Sequence, residues 1–232
     1  MSEVKELLSK YDNIVFLTGA GVSTMSGLPD FRSGKGLYKK YKHLNLQDLL
    51  SVQSWRKNPK QVAEFLDSLN KDVKPNMVHD FIKSYQDSGK LRGVITQNLD
   101  NLHELSGVDK VLHLHGEFGY ECCHCGEKTL LDPKNMSRKG NFKSQCHTEY
   151  ALKPKALLYG EQYNTKVVKE CFKMLEKADL LVCMGTELDI HVINNIFKDF
   201  KKDKVFINGK DVDFGFQHVT KFIGKFSKTL VD

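Results

Sequence analysis

Residues 14–32 read IVFLTGAGVSTMSGLPDFR, an apolar run followed by a glycine-rich loop, and this stretch decides the fold. The run Ile14–Leu17 shows no alternation with polar residues, which is typical of a strand buried on both faces of a parallel sheet. Gly19 and Gly21 allow the backbone to approach a pyrophosphate closely, because glycine adds no side-chain bulk. Ligands of open α/β sheets bind just beyond the carboxyl ends of strands. The stretch therefore predicts a nucleotide site.

This loop departs from the usual dinucleotide-binding fingerprint. The third glycine of that motif would fall at Thr24, and Lys39 and Lys40 stand where an acidic residue is expected. A tight turn between a strand and a helix explains a single G-x-G equally well. Phosphate and ribose binding in a variant mode is favoured by the polar groups that follow in the same loop, namely Ser23, Ser26, Asp30 and Arg32.

Short apolar runs recur along the chain and alternate with helical patterns. The further predicted strands are Gly93–Thr96, Val111–Leu114, Ala156–Leu158, Leu180–Met184 and Val205–Ile207. Helical spacing appears at Val62, Phe65, Leu66 and Leu69 after Asn58-Pro59, and again at Val168, Cys171, Phe172 and Leu175. This alternation predicts a doubly wound, Rossmann-like α/β fold with a parallel sheet, and it places Cys171 and Cys183 in the core.

Two segments interrupt the alternation and predict a second, smaller domain. Residues 36–90 show helical patterns only, and residues 117–153 are polar and rich in cysteine. We expect both to form a small domain, and we expect the large Rossmann-like domain to comprise residues 1–35, 91–116 and 154–232. We expect the 232 residues to form one unit made of these two domains.

The composition limits the kinds of partner. The formal net charge is +6, and no apolar segment is long enough to span a bilayer. The first residues include acidic side chains and lack the apolar core of a signal peptide, so we expect a cytoplasmic protein with reduced cysteines. The short lysine clusters are read as solvated surface, and we expect neither a specific nucleic-acid partner nor a membrane partner.

A second polar cluster, VITQNLD, occupies residues 94–100. Gln97 and Asn98 directly follow a predicted strand and offer donors and acceptors for ribose hydroxyls or for an amide. Asp100 taken alone is explained by helix capping, since Asp favours turns and caps for local reasons.

A histidine follows the next predicted strand. His115 comes after Val111–Leu114 and is followed by Gly116. An imidazole near its ordinary pKa is the natural general base at neutral pH. His113 shares a strand face with His115, but the glycine that ends the strand favours His115 as the catalytic residue.

The cysteines between residues 122 and 146 indicate a metal site. Cys122 and Cys125 form a C-x₂-C pair, and twenty residues separate Cys125 from Cys146. This matches the first three ligands of a structural zinc ribbon. The position of the expected fourth cysteine is occupied by Glu149. The fourth ligand stays open between His147, Glu149, Cys123 and His124, and a ribbon that no longer binds metal is the alternative.

Taken in order, these motifs resemble those of the sirtuins, a family of NAD-dependent protein deacylases, in the form of a bacterial-type minimal catalytic core. The resemblance covers nearly the whole chain. It rests mainly on GAGVS at 19–23, SGLPDFR at 26–32, TQNLDNLH at 96–103, LHG at 114–116 and C-x-x-CG at 122–126. The family implies a Rossmann-like domain beside a small domain that combines a helical insertion with a zinc ribbon. NAD would be consumed as a co-substrate, zinc would be structural, and the partner would be an acyl-lysine protein or peptide.

The resemblance also implies roles for single residues. The NAD diphosphate would be held by Gly19, Ala20, Gly21, Ser23, Gly185 and Thr186. Asp30, Phe31 and Arg32 would cover the nicotinamide side. The two riboses and the carboxamide would be held by Gln97, Asn98, Asp100 and Asn208. His115 and Asn98 would be catalytic, Tyr159, Gly160 and Glu161 would hold the substrate backbone, and Cys122, Cys125 and Cys146 would bind zinc with His147 or Glu149.

The implied reaction is deacylation, most naturally deacetylation, which yields nicotinamide, acyl-ADP-ribose and free lysine. A mono-ADP-ribosyltransferase, an NAD hydrolase and a non-catalytic NAD or ADP-ribose sensor are alternatives on the same fold. Glu187 departs from the family, which carries serine there, and a carboxylate beside a diphosphate is repulsive. Leu66 and Leu69 stand where family members that remove acidic acyl groups carry Tyr and Arg, so an acidic acyl group is disfavoured.

Overall fold

The computed structural model describes residues 3–30, 36–129, 142–144, 146–147, 151–188, 195–196, 198–208 and 221–224. The chain divides into two compact units. We call residues 1–30, 73–114 and 164–232 the sheet unit, and residues 31–72 and 115–163 the insertion unit.

The sheet unit is built on parallel strands that all belong to one sheet. The strands are β1 (Ile14–Thr18), β2 (Leu91–Thr96), β3 (Val111–His113), β7 (Leu180–Met184), β8 (Asp203–Asn208) and β9 (Lys221–Gly224). They lie in the order β3-β2-β1-β7-β8-β9, and every neighbouring pair is parallel. This is the strand order of the dinucleotide-binding Rossmann fold, which confirms the predicted fold class.

The order in which successive strands are added to the sheet reverses between β1 and β7, and the strands end at the same level at that point. Thr18 lies opposite both Thr96 and Met184, so β1, β2 and β7 end next to one another. A crevice at such a reversal is where ligands of open α/β sheets bind. The loops that follow β1, β2 and β7 are therefore the first place to look for a site.

The helices of the sheet unit bury apolar residues against the strands. They are α1 (Glu3–Leu8), α6 (Met77–Asp87), α7 (Leu102–Leu105) and α8 (Thr165–Glu176). Val78, Phe81 and Ile82 of α6 share a core with Phe16 and Val94 of the strands. This packing places α6 in the sheet unit, so the expected boundary at residue 90 differs from the observed one at residue 72.

The insertion unit combines short helices with a small antiparallel sheet. Its helices are α2 (Leu37–Lys40), α3 (Leu46–Leu49), α4 (Val52–Lys57) and α5 (Pro59–Leu69), and its strands are β4 (Tyr120–Cys122), β5 (Lys128–Thr129) and β6 (Leu152–Pro154). Helix α5 begins as predicted, because the Asn58 side chain accepts from the Gln61 N–H and Pro59 occupies the first turn. The sheet order is β5-β4-β6.

The prediction of a strand at Ala156–Leu158 is wrong. Ala156 and Leu158 are buried, but the segment forms no ladder, and the Leu157 N–H donates instead to the His115 carbonyl oxygen. A short apolar run signals burial without specifying a strand. Among the helices that the structure describes, none combines the length and apolar character that crossing a membrane demands.

Candidate functional site

The glycine loop after β1 packs directly on the loop after β7. The Gly19 N–H donates to the Met184 carbonyl at 3.0 Å, and the Gly21 N–H donates to the Gly185 carbonyl at 2.9 Å. A Cβ on Gly21 would lie 2.7 Å from the Gly185 Cα, and one on Gly19 would lie 2.8 Å from the Thr186 Cβ. Only residues without a Cβ allow the two loops to approach this closely, so the packing of the loops itself requires glycine at both positions.

Three polar side chains meet beside this glycine loop. Asn98 Nδ2 donates to the Gly19 carbonyl at 3.2 Å and to Ser23 Oγ at 3.1 Å, and Ser23 Oγ donates to Asp100 Oδ2 at 2.9 Å. All three are nearly inaccessible, with 2–8% of their surface exposed. The structure thus brings together two motifs that lie about seventy residues apart in the sequence. Asp100 Oδ1 also accepts from the Leu102 N–H, the first of α7, at 3.2 Å, so the same carboxylate contacts both the cluster and the start of this helix.

A second group lies where β2, β7 and β8 end. Gln97 Nε2 donates to Thr186 Oγ1 at 2.7 Å, and Asn208 Nδ2 donates to the Thr186 carbonyl at 3.1 Å. The positive φ of Gly185 (62°) turns the chain into this position. Neutral amides and hydroxyls of this kind suit ribose hydroxyls, which both donate and accept hydrogen bonds.

The covering segment predicted at Asp30, Phe31 and Arg32 lies only partly within the described chain. Asp30 is described and is partly buried, whereas Phe31 and Arg32 lie outside the described residues.

His115 belongs to the insertion unit and is held on both its backbone and its ring. Its carbonyl accepts from the Leu157 N–H at 2.7 Å, and its Nε2 lies 3.4 Å from the Tyr163 hydroxyl. Burial raises the pKa of Tyr163, so this hydroxyl stays protonated and available to the imidazole. Gly116 has a φ of 75°, and a Cβ there would overlap the Lys155 carbonyl. The glycine after His115 is therefore a requirement of the fold.

His113, the other candidate histidine, lies in the sheet unit, where both of its ring nitrogens make contacts. Its Nδ1 lies 3.0 Å from the Asn98 carbonyl, and its Nε2 lies 2.7 Å from a Glu104 carboxylate oxygen. Both ring nitrogens thus serve to tether the Asn98 loop to α7.

Sequence reasoning missed some residues that support the loops. Asn76 Nδ2 donates to the Val22 carbonyl at 2.9 Å and to Ser26 Oγ at 2.8 Å, which fixes the end of the glycine loop. The pattern Asn76-x-x-His79 is a capping box for α6, and this spacing was the available signal. No sequence signal identified Tyr163 as a site residue, because its partner His115 lies 48 residues away.

The predicted substrate segment, Tyr159–Glu161, forms one edge of a short extended pair. The Tyr159 N–H donates to the Leu50 carbonyl at 2.8 Å, and its own carbonyl accepts from the Val52 N–H at 3.0 Å. Glu161 is used internally, since its carboxylate accepts from the Leu158 N–H at 2.9 Å and lies 3.2 Å from Lys153 Nζ. The Glu161 N–H also donates to the Leu158 carbonyl at 3.0 Å, and Gly160 has a φ of 92°, so the chain turns directly after the bridge at Tyr159.

The cysteine motif folds into one compact cluster. The ligand atoms of Cys122, Cys125, Cys146 and His147 all lie within 4.8 Å of one another, and the Cys125 and Cys146 sulfurs are 3.5 Å apart. Tetrahedral ligands at about 2.3 Å from a zinc ion lie about 3.8 Å from each other, so the cluster matches a zinc site. Cys123 is exposed, and its N–H donates to the Ala151 carbonyl. Glu149, the other candidate for the fourth ligand, lies outside the described residues.

Comparisons with known proteins agree with this geometry. A family model described as the Sir2 family matches residues 19–192. The NAD-dependent protein deacetylase of Staphylococcus epidermidis is 33% identical over 216 residues, which cover 91% of this chain and 87% of that protein. The enzyme of the same name from Clostridium acetobutylicum is 31% identical over 216 residues, with coverages of 90% and 87%.

Solved structures of Sir2 proteins match over nearly the full length. A structure described as showing the mechanism and regulation of Sir2 enzymes matches with a TM-score of 0.81 and 26% identity over 98% of this chain and 93% of its own. A Sir2 variant with a deacetylated p53 peptide and 3′-O-acetyl ADP-ribose matches with a TM-score of 0.81 and 27% identity, covering 99% and 93%. The chain therefore belongs to the Sir2 family.

Proposed function

We propose that this chain is an NAD-dependent protein-lysine deacylase, and in the first instance a deacetylase. The observation that carries the proposal is the buried cluster of Ser23, Asn98 and Asp100 beside the glycine loop. If Asp100 only packed in the core or capped a helix, it would need neither the Ser23 hydroxyl nor the Asn98 amide as neighbours. The named activity of the Staphylococcus and Clostridium relatives supports the same reaction.

The sheet unit would hold NAD across the reversal point of the sheet. The close approach of the loops at Gly21 and Gly185 leaves backbone and no side chains for the diphosphate to meet, and Ala20 and Ser23 belong to the same turn. Gln97, Thr186 and Asn208 would contact the riboses. The co-substrate supplies an electrophilic ribose carbon and a leaving nicotinamide. The chain's contribution is to orient that carbon, to exclude water and to stabilise developing positive charge with the Asp100 carboxylate.

Asn98 and Asp100 would act on the nicotinamide side of the reaction. The Asn98 amide is fixed by the Gly19 carbonyl and by Ser23, so its carbonyl oxygen is presented in one orientation. A fixed dipole contributes more to catalysis than a mobile one, because no reorganisation is needed during the reaction.

His115 would be the general base that deprotonates a ribose hydroxyl in the second half of the reaction. The Tyr163 hydroxyl holds its Nε2, and its carbonyl is fixed by Leu157. These contacts restrict the orientation of the imidazole, which favours general-base catalysis. Tyr159, Gly160 and Glu161 would hold the backbone of an extended acyl-lysine peptide.

A zinc ion would bind Cys122, Cys125, Cys146 and His147 and would be structural. A set of four protein ligands leaves no open position for water or substrate, which is the mark of a structural site. Its contribution is to join β4 to the segment that carries Cys146 and His147, and so to stabilise the insertion unit.

The acyl chain would be acetyl or a larger apolar group. Leu66 and Leu69 are buried in α5 and offer no cation to an acidic acyl group. We also propose that the protein is cytoplasmic, where its cysteines stay reduced.

The decisive experiment separates the three candidate activities by their products. The purified protein is incubated with NAD and with or without an acetyl-lysine peptide, and the products are identified by mass. Acetyl-ADP-ribose that forms only with peptide supports the deacylase. ADP-ribose without peptide turnover would mean an NAD hydrolase, a mass increase on protein would mean an ADP-ribosyltransferase, and binding without products would mean a sensor.

A further inference from the structure

Two histidines of the sheet unit are fully buried and in contact. His79 lies in α6 and His103 in α7, and their ring centroids are 4.9 Å apart with planes inclined by 58°. His79 Nε2 and His103 Nδ1 find no hydrogen-bond partner among the described residues. Native proteins rarely leave buried polar atoms unpaired, and each such atom calls for an explanation. Nothing in the proposed reaction uses either ring directly.

The surrounding bonds fix which nitrogens carry hydrogen. The Asn76 N–H donates to His79 Nδ1 at 3.2 Å, so in the neutral ring the hydrogen is on Nε2. Thr18 Oγ1 donates to Thr96 Oγ1 at 2.9 Å and lies 2.9 Å from His103 Nε2. With the Thr18 hydrogen directed to Thr96 Oγ1, His103 Nε2 is the donor, which leaves its Nδ1 as an acceptor. Burial lowers the pKa of both histidines and keeps both rings neutral.

The two unpaired atoms are therefore complementary, one a donor and the other an acceptor. We propose that His79 and His103 are positioning residues, joined from Nε2–H to Nδ1 in an ordered chain of donors that runs from Asn76 to Thr96. The ring centroids lie 4.9 Å apart, a separation at which facing ring nitrogens come within hydrogen-bond distance. Every donor from Asn76 to Thr18 points the same way, and the two rings and the Thr18 hydroxyl each have one assigned hydrogen.

Both ends of the chain reach loops that the proposed function assigns to NAD, and the inference rests on that function. At one end, the Asn76 side chain holds the Val22 carbonyl and Ser26 Oγ of the glycine loop. At the other end, Thr96 Oγ1 accepts from the Asn98 N–H at 3.1 Å. The histidine pair thus ties together the two loops that come after β1 and β2. It would hold Asn98 and Asp100 in the geometry that nicotinamide release requires.

The test removes the proposed hydrogen bond between His79 and His103 and keeps the bond between residue 103 and Thr18. In His103→Gln the side-chain amide still donates to Thr18, but the ring acceptor is lost, whereas His103→Leu removes both. His43→Gln is the control, because His43 is exposed in the insertion unit. The readouts are kcat and KM for NAD in peptide deacetylation, the inhibition constant of nicotinamide, and the dissociation constant of ADP-ribose, which lacks the nicotinamide half.

We expect His103→Gln to lower kcat by about tenfold to a hundredfold, since small misplacements of catalytic groups have effects of this size. Nicotinamide inhibition weakens in parallel, while ADP-ribose binding stays within about twofold of wild type. The control variant matches wild type in every readout. A kcat of His103→Gln within about twofold of wild type overturns the proposal, and so does a loss of ADP-ribose binding equal to the loss of kcat.

Nitrogen-15 NMR of the wild-type protein decides the matter without any variant. The expected result is that both His79 and His103 are neutral with hydrogen on Nε2, and that the His79 Nε2–H exchanges slowly with solvent. Hydrogen on His103 Nδ1, or fast exchange at His79, contradicts the ordered chain even if the variants fail to fold. If the wild type forms no acetyl-ADP-ribose, the proposed function fails, yet the NMR result still reports on the histidine pair.

Discussion

The buried histidine pair makes the stability of the protein depend on pH in a calculable way. Burial is the largest cause that lowers the pKa of His103, from its ordinary 6.5 to about 3, and His79 and His113 add to the effect. In the unfolded chain the same imidazole takes up a proton near pH 6.5. Below that pH the unfolded state binds more protons than the folded state, so stability falls as the pH falls from about 6.5 towards 3.

The expected loss follows from the two pKa values. Between pH 7.5 and pH 5.5, protonation of His103 in the unfolded chain lowers the free energy of unfolding by about 1.4 kcal/mol. Burial also lowers the pKa of His79, against the opposing charges of Asp100 and Asp80, so its contribution has the same sign. Other groups titrate in this range, and a variant is needed to remove their contribution.

The assay is urea unfolding of wild type, His103→Gln and His43→Gln at both pH values, with free energies extrapolated to water. His103→Gln should lose about 1.4 kcal/mol less than wild type when the pH is lowered, because it has no imidazole to protonate there. His43→Gln should match wild type, since His43 is exposed. Equal pH dependence of wild type and His103→Gln would refute the assignment of a neutral, buried His103.

Three further outcomes are expected. Gly21→Val should abolish ADP-ribose binding and lower the melting temperature, because the valine Cβ would lie 2.7 Å from the Gly185 Cα. ADP-ribose binding within about twofold of wild type by calorimetry would contradict this. Trp55→Ala should lower the free energy of unfolding of the insertion unit by about 2–3 kcal/mol in urea unfolding, somewhat less than the loss of a fully buried Trp. The reason is that the Trp55 ring stacks on Tyr120 and its Nε1 donates to the Leu152 carbonyl at 3.2 Å. His147→Ala should weaken zinc binding by at least about tenfold in a chelator competition, whereas unchanged zinc content and affinity would exclude His147 as a ligand.

The parts of the fold that local pattern specifies were predictable from sequence. The continuous apolar runs at Ile14–Leu17 and Leu180–Met184 are strands, and the start of α5 at Asn58-Pro59 is confirmed by its cap. Cys171 and Cys183 are fully buried, as predicted. In each case the signal is local, since periodicity and capping involve residues within one or two turns of each other.

The parts that depend on long-range packing were not predictable. The helical patterns within residues 36–90 predict helix in the region of α6 but not what it packs against, and the helix shares its core with the strands of the sheet unit. The link between His79 and His103, and that between His115 and Tyr163, join residues that only the fold brings together. The polar character of Asn98 and Asp100 was visible in the sequence, but their shared partner Ser23 lies 75 residues or more away.

The stoichiometry of the products with an acetyl-lysine peptide tests the central claim most directly. Wild type and His115→Ala are compared for nicotinamide, deacetylated peptide and acetyl-ADP-ribose in the same reaction. The account predicts one molecule of each product per turnover for wild type, and no deacetylated peptide for His115→Ala although NAD still binds. Deacetylation without an equal yield of acetyl-ADP-ribose, or full turnover by His115→Ala, would contradict it.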